Sequence, residues 1–208
     1  CGVGFRGLQS GGIALLFDAD GKDRYEAGNF SQGGGYYFGI GMLRDGGKND
    51  DAYIGSRYSQ GFAAHEAIGF FEEIGGNDFY TTRHAVAQGI SWDETIAVFI
   101  DHAGDDTYEG GASFSQGASA HNGFCLFLDL AGRNRFVYGM PQGSAGPNDY
   151  HGGTSFSLFI TAEGRNTTYT SKMKPASVSH SGSDGIFADL PTSIETALKR
   201  QSWRRLIR

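Results

Sequence analysis

The stretch Ile96-Ala-Val-Phe-Ile-Asp101-His-Ala-Gly-Asp-Asp106-Thr-Tyr108-Glu-Gly-Gly-Ala-Ser-Phe-Ser-Gln116-Gly117 decides how this chain folds. It opens on an apolar run, passes an acid, turns through a glycine and two aspartates, and ends on Gln-Gly. Most of the chain repeats this unit. Gln-Gly recurs at Gln32, Gln60, Gln88, Gln116 and Gln142, at intervals of 28, 28, 28 and 26 residues. A second marker, Gly/Asn-x-Asp/Asn-x-aromatic, recurs at Asp23/Tyr25, Asp51/Tyr53, Asp78/Tyr80, Asp106/Tyr108 and Asn134/Phe136, with a degraded copy at Gly164-Arg-Asn166. Two markers keeping one period define a repeat array, and a period of roughly 20–50 residues means a solenoid, a propeller or a similar array.

Aligning the apolar runs gives columns. The first reads Ile13, Ile40, Ile68, Ile96, Phe124, Phe156, and the second is small throughout: Ala14, Gly41, Gly69, Ala97, Cys125, Ser157. The third (Leu15, Met42, Phe70, Val98, Leu126, Leu158) and fourth (Leu16, Leu43, Phe71, Phe99, Phe127, Phe159) are large and apolar. The sixth is polar: Asp18, Asp45, Glu73, Asp101, Asp129, Thr161. Short runs rich in Ile, Val and Phe, bounded by Gly and Asp, read as strands. Like residues in one column predict parallel, in-register strands about 4.8 Å apart. The expected fold is all-β, a parallel β-helix or β-roll-like solenoid of five to six rungs. Residues 1–11 are expected to cap it, 12–171 to form the repeats, 172–190 a loop and 191–208 a capping helix. In that helix Thr192 or Ser193 is the N-cap. The cations Lys199, Arg200, Arg204, Arg205 and Arg208 suit its C-terminal end.

Columns one and three face one side of the strand, two and four the other, and both sides are apolar. Strands greasy on both faces are usually covered on both. Either the rung folds over this sheet, or a protein partner or second copy does.

The 208 residues include 34 glycines, 19% charged residues and a formal net charge of −6. An acidic chain argues against nucleic-acid binding, and no apolar run approaches the ~18 residues of a membrane-spanning helix. P-loop, G-x-S-x-G, zinc-finger and CxxCH motifs do not occur. Two cysteines, Cys1 and Cys125, are no disulfide framework. Cys125, in the small column, reads as a buried inert thiol. Cys1 at the start of the chain matches the lipidated first residue of a mature bacterial lipoprotein, and a lipid there is the expected route to any membrane.

The turns hold the sharpest chemical signal. Stacked Asp23, Asp51, Asp78 and Asp106 would bring like charges within about 5 Å, which calls for a cation, for hydrogen-bond donors or for neutralisation. Calcium suits an all-oxygen site, and the simpler reading is that each Asp caps its own turn. Five residues beyond each Gln, the column Tyr37, His65, Asp93, His121 places imidazole, carboxylate and imidazole on successive rungs. That set can ligate a transition metal, or remain plain corner residues. The Gln column is expected to form an amide ladder. A carbohydrate-active enzyme, with a glycan as its partner, is the enzymatic alternative. It would use paired carboxylates, with a groove near His121 and the Asn148–His151 insertion.

Gly75-Gly-Asn-Asp-Phe-Tyr80 and Ala103-Gly-Asp-Asp-Thr-Tyr108 resemble half of the calcium-binding nonapeptide G-G-x-G-x-D-x-U-x of RTX β-rolls. In that family aspartates and turn carbonyls hold calcium between turns. The likeness covers six residues of each rung, without the tandem nine-residue spacing, and Asn134 and Asn166 stand where aspartate would be needed. Over about residues 12–170 the chain resembles uncharacterised exported bacterial repeat proteins with G-x-D-x-Y and Q-G motifs. That resemblance implies a cell-envelope or extracellular location and a structural or binding role in an assembly.

Overall fold

A computed structural model describes residues 2–3, 10–111, 113–138, 140–146, 152–164 and 166–199. The chain is a three-sided parallel β-solenoid of about six turns. Each full rung contributes one long and two short strands. The long strands are Ile13–Phe17, Ile40–Asp45, Ile68–Glu73, Ile96–Asp101, Phe124–Asp129, Phe156–Ala162 and Gly185–Leu190. They stack in that order in one sheet, all parallel, closed at its far edge by the antiparallel strand Val178–Ser181. A second sheet follows the acidic turns (Arg24–Glu26, Ala52–Gly55, Phe79–Thr82, Thr107–Glu109, Arg135–Val137, Thr168–Tyr169), and a third follows the Gln-Gly corners. The register is that of the sequence columns: Ile96 lies between Ile68 and Phe124, and Asp101 between Glu73 and Asp129.

Alternation along the long strands settles which face is the core. Columns two, four and six are buried, whereas column one is exposed and column three half-buried. The small second column is required by close approach. A Cβ on Gly69 would stand 1.9 Å from the Phe62 carbonyl oxygen across the rung. Column four forms a ladder of stacked rings, Phe71–Phe99 and Phe99–Phe127 at 4.7 Å and Phe127–Phe159 at 4.6 Å. The turn aromatics form a second ladder, Tyr53–Tyr80 at 5.0 Å, Tyr80–Tyr108 at 4.7 Å and Tyr108–Phe136 at 4.6 Å. The two ladders meet edge to face, Tyr53 on Phe71 at 4.9 Å among others, the arrangement ring quadrupoles favour. Among the described residues no layer covers the outer face of the long sheet: Ile40, Ile68, Ile96 and Phe124 are 39%, 42%, 46% and 41% exposed.

One segment differs from expectation. The 172–190 segment, expected as a loop, holds two strands. Gly185–Leu190 adds a seventh long strand whose Phe187 stacks on Phe159 at 5.5 Å and whose Asp189 pairs with Thr161. It continues the column pattern of the long strand without the turn and Gln-Gly markers that reveal the other copies. The helix is described over Ile194–Lys199, with the Thr196 amide donating to Ser193 Oγ at 3.2 Å, so Ser193 is the N-cap. Residues 200–208, with most of the basic end, lie outside the described residues. Among the described residues, no helix is long and apolar enough to cross a membrane.

Candidate cation sites in the solenoid interior

Column six points inward, which the sequence pattern did not show. Asp45, Glu73, Asp101 and Asp129 are all 0% exposed. Tyrosine hydroxyls from the turn ladder meet them. Tyr53 donates to Asp45 Oδ2 at 3.0 Å and also to Glu73 Oε2; Tyr80 and Tyr108 donate to Asp101 Oδ2 at 2.6 and 3.0 Å. Burial and the neighbouring acids raise the pKa of all three tyrosines, so the hydroxyls stay protonated donors.

The turn aspartates work across rungs. Asp51 Oδ1 accepts the Asp23 amide at 2.5 Å, Asp78 Oδ1 the Asp51 amide at 2.7 Å and Asp106 Oδ1 the Asp78 amide at 2.7 Å. Each aspartate thus caps the preceding rung's turn rather than its own. The other oxygen of each, Oδ2, is buried with no hydrogen-bond partner, as is Asp45 Oδ1. Asp51, Asp78 and Asp106 are only 3%, 2% and 1% exposed.

The two acidic rows converge. Three clusters have ligand atoms all within 4.8 Å of one another: Asp18/Asp23/Asp45, Asp45/Asp51/Glu73 and Asp78/Asp101/Asp106. None of the ion pairs among the described residues involves these acids. Burial with no counter-charge is costly to a carboxylate. Desolvation, with like-charged neighbours adding to it, pushes Asp51 up to about 6, Glu73 and Asp78 to about 8 and Asp106 to about 11. Asp101 is raised for the same first reason. All-oxygen donor sets of this kind, buried in the second and third clusters and partly exposed in the first, fit a hard divalent cation, and they offer no thiolate or imidazole for a softer one.

The fifth rung shows what such an acid needs. Asn134 takes the place of aspartate and Phe136 that of tyrosine, and Asn134 Nδ2 donates to Asp129 Oδ1 at 2.5 Å. Asn134 Oδ1 still caps the preceding turn, accepting the Asp106 amide at 2.9 Å. Here a side-chain amide meets the column-six acid, where main-chain amides of Ile74 and Ala103 meet Glu73 Oε1 at 2.9 Å and Asp101 Oδ1 at 3.2 Å in earlier rungs; Asp129 Oδ2 is left without a partner. In the sixth rung Thr161 interrupts the acidic row, which Asp189 resumes in the seventh long strand, accepting from the Tyr169 hydroxyl at 2.8 Å.

The histidine column is only partly brought together. His65 Nδ1 and Asp93 Oδ2 lie 2.6 Å apart, and His65 stacks on Tyr37 at 4.6 Å. His121 instead packs edge-on against Trp92 at 4.4 Å. The three-acid clusters just described contain no histidine. The glutamines form an amide ladder only from the third rung onward, Gln116 donating to Gln88 at 3.1 Å and Gln142 to Gln116 at 2.7 Å. Gln32 and Gln60 donate to main-chain carbonyls of the second sheet instead. Cys125 is fully buried, its thiol donating to the Gly89 carbonyl at 3.1 Å, and burial raises its pKa. Of the column-six acids, Asp45, Glu73, Asp101 and Asp129 are fully buried, whereas Asp18 is partly exposed. Cys1 and residues 148–151 lie outside the described residues.

Comparison of the chain with protein-family models, with curated proteins and with solved structures gives no match.

Proposed function

We propose that this chain is a non-enzymatic, calcium-stabilised β-solenoid that serves as a structural or binding subunit of a cell-envelope or extracellular assembly. The observation behind this reading is the set of orphaned carboxylate oxygens, gathered in three clusters that no ion pair among the described residues reaches. Calcium tolerates irregular shells of roughly 6–8 oxygens, and extracellular modules hold it at about 10⁻⁴–10⁻³ M. The acids of these clusters belong to the repeat and sit in its interior, a use that is structural rather than catalytic. Titrating metal-stripped protein with calcium, while following thermal unfolding and native mass, tests the reading. Stepwise calcium uptake with a rising melting temperature supports it. A stripped protein that binds no calcium and melts unchanged rejects it.

The assembly part of the reading draws support from the outer face of the long sheet. Ile40, Ile68, Ile96 and Phe124 form an exposed line beside half-buried Met42, Phe70, Val98 and Leu126. Contiguous apolar patches mark interaction surfaces. Light scattering over a concentration series should show self-association or a stable complex that Ile68→Lys with Ile96→Lys abolishes. If the variant and parent associate equally, this face is not the interface.

A further inference from the structure

The third corner of the solenoid has its own column, two residues before each Gln: Phe30, Tyr58, Val86, Phe114. Phe30 and Tyr58 stack at 5.0 Å with ring planes 6° apart. At the third rung the column is interrupted by Val86, and there the surface opens into a groove of about 710 Å³. Its apolar walls are Tyr58, Trp92 and Phe114, with Val86 between them. The backbone at this column is left-handed throughout: φ is 57° at Phe30, 52° at Tyr58, 69° at Val86 and 50° at Phe114. A β-branched residue is the least suited to that region. Val86 is therefore held in strain where an aromatic ring would continue the ladder, and strain of this kind concentrates at binding sites.

The polar lining is one-sided. Arg57 and His84 face the groove with Asn29, Ser56 and Ser113, and the lining includes no carboxylate, in a chain whose net charge is −6. The Arg57 guanidinium lies 4.6 Å over the Tyr58 ring and donates to Tyr58 Oη at 3.2 Å, which holds the cation beside the aromatic face. A neighbouring hollow that shares Ser56 holds Arg83 together with the Glu26 carboxylate, so the uncompensated cationic lining is confined to the larger groove. The lining comes from four successive rungs, so the groove runs along the solenoid axis for about 14 Å at a strand spacing of ~4.8 Å. Aromatic walls with a few polar groups at the rim describe a ligand site, and its volume lies within the usual range of about 300–1,000 Å³.

We infer that this groove binds a short run of an acidic, uronate-bearing linear polysaccharide. A sugar ring would lie in the Val86 gap against Tyr58, Trp92 and Phe114, with its carboxylate toward Arg57 and His84. The gap spans two rungs, about 9.6 Å between flanking column positions. That suits a saturated ring better than a flat base, which stacks at about 3.4 Å.

Isothermal titration of the full chain at fixed calcium, with trigalacturonate and cellotriose as probes, tests the inference. Trigalacturonate should bind and cellotriose should bind at least about tenfold more weakly. Val86→Phe should fill the gap and weaken trigalacturonate binding by about tenfold or more. The melting temperature and its calcium response should be kept, since phenylalanine already occupies this column at Phe30 and Phe114. Arg57→Gln should narrow the preference for the acidic sugar. The inference is overturned if trigalacturonate fails to bind at millimolar concentration, if Val86→Phe leaves binding unchanged, or if cellotriose binds equally well. Preferential binding of poly(U) or polyglutamate also overturns it. Because Val86 lies in the column before the Gln-Gly corner and not among the clustered acids, these outcomes stand apart from the calcium reading.

Discussion

The fourth and fifth rungs solve the same interior problem with different residues. In the fourth, Asp101 and Asp106 lie buried with Asp78 from the rung below; Asp101 is met by two tyrosine hydroxyls and the Ala103 amide, while Asp78 Oδ2 and Asp106 Oδ2 have no partner. In the fifth, Asn134 donates to Asp129 Oδ1, Asp129 Oδ2 stays without a partner, and Phe136 replaces the tyrosine, while backbone register and ring stacking continue unbroken. The carboxylates are therefore not what the fold requires; an oxygen acceptor that caps the preceding turn is. Asparagine meets that need without charge. Aspartate in the earlier rungs brings a charge that something else must balance, and in the proposed reading a cation does so.

Removing that cation should have the largest effect. A site held at a hundred times its Kd contributes about 2.7 kcal/mol, so chelation should lower the melting temperature by roughly 5–10 °C for each site emptied. Differential scanning calorimetry with and without chelator checks this, and re-addition of calcium should restore it. Next comes Asn134→Asp, which gives the fifth rung the acid of the fourth and removes the donor to Asp129. In metal-stripped protein it should cost about 3–5 kcal/mol, the effect of an uncompensated buried charge, and calcium should recover much of the loss. Denaturant melts under both conditions measure it.

The reverse exchange is smaller. Asp106→Asn with Tyr108→Phe copies the fifth rung into the fourth. The double variant should fold, lose one bound calcium by native mass, and respond less to chelator. Equal chelator sensitivity would show that the third cluster holds no ion.

The last test uses pH. In metal-free protein Asp51, Glu73 and Asp78 are raised to about 6, 8 and 8, above the unfolded carboxylate range of about 4. The stabilisation from their protonated forms is complete below about pH 4 and is lost as pH rises through 6 to 8. Stripped protein should therefore melt at progressively lower temperature from pH 5 to pH 8. Calcium-loaded protein should hold steady or gain, because protons compete with the ion. Parallel melts at three pH values distinguish the two slopes.

Much of this architecture was legible in the sequence because repetition makes each column its own control. Ile96 over Ile68, Phe99 over Phe71 and Asp106 over Asp78 were all correctly aligned before any coordinates. What escaped was direction. With columns one to four all apolar, nothing in the pattern told which face was the core, so the inward placement of Asp45, Glu73 and Asp101 was not visible. The second half of each cluster was missed for that reason, although its residues had been aligned. The cross-rung capping by Asp51 and Asp78 also escaped, because spacing along one chain does not say which rung's amide a carboxylate will meet. Gly185–Leu190 was lost because only its strand, and not its turn, keeps the repeat.

The most direct test is a crystal of the calcium-loaded protein measured for anomalous scattering from calcium. Peaks among Asp18/Asp23/Asp45, Asp45/Asp51/Glu73 and Asp78/Asp101/Asp106, with none beside Asn134, are the predicted result. An interior without peaks, its carboxyls paired with one another as protonated acids, would contradict the cation account.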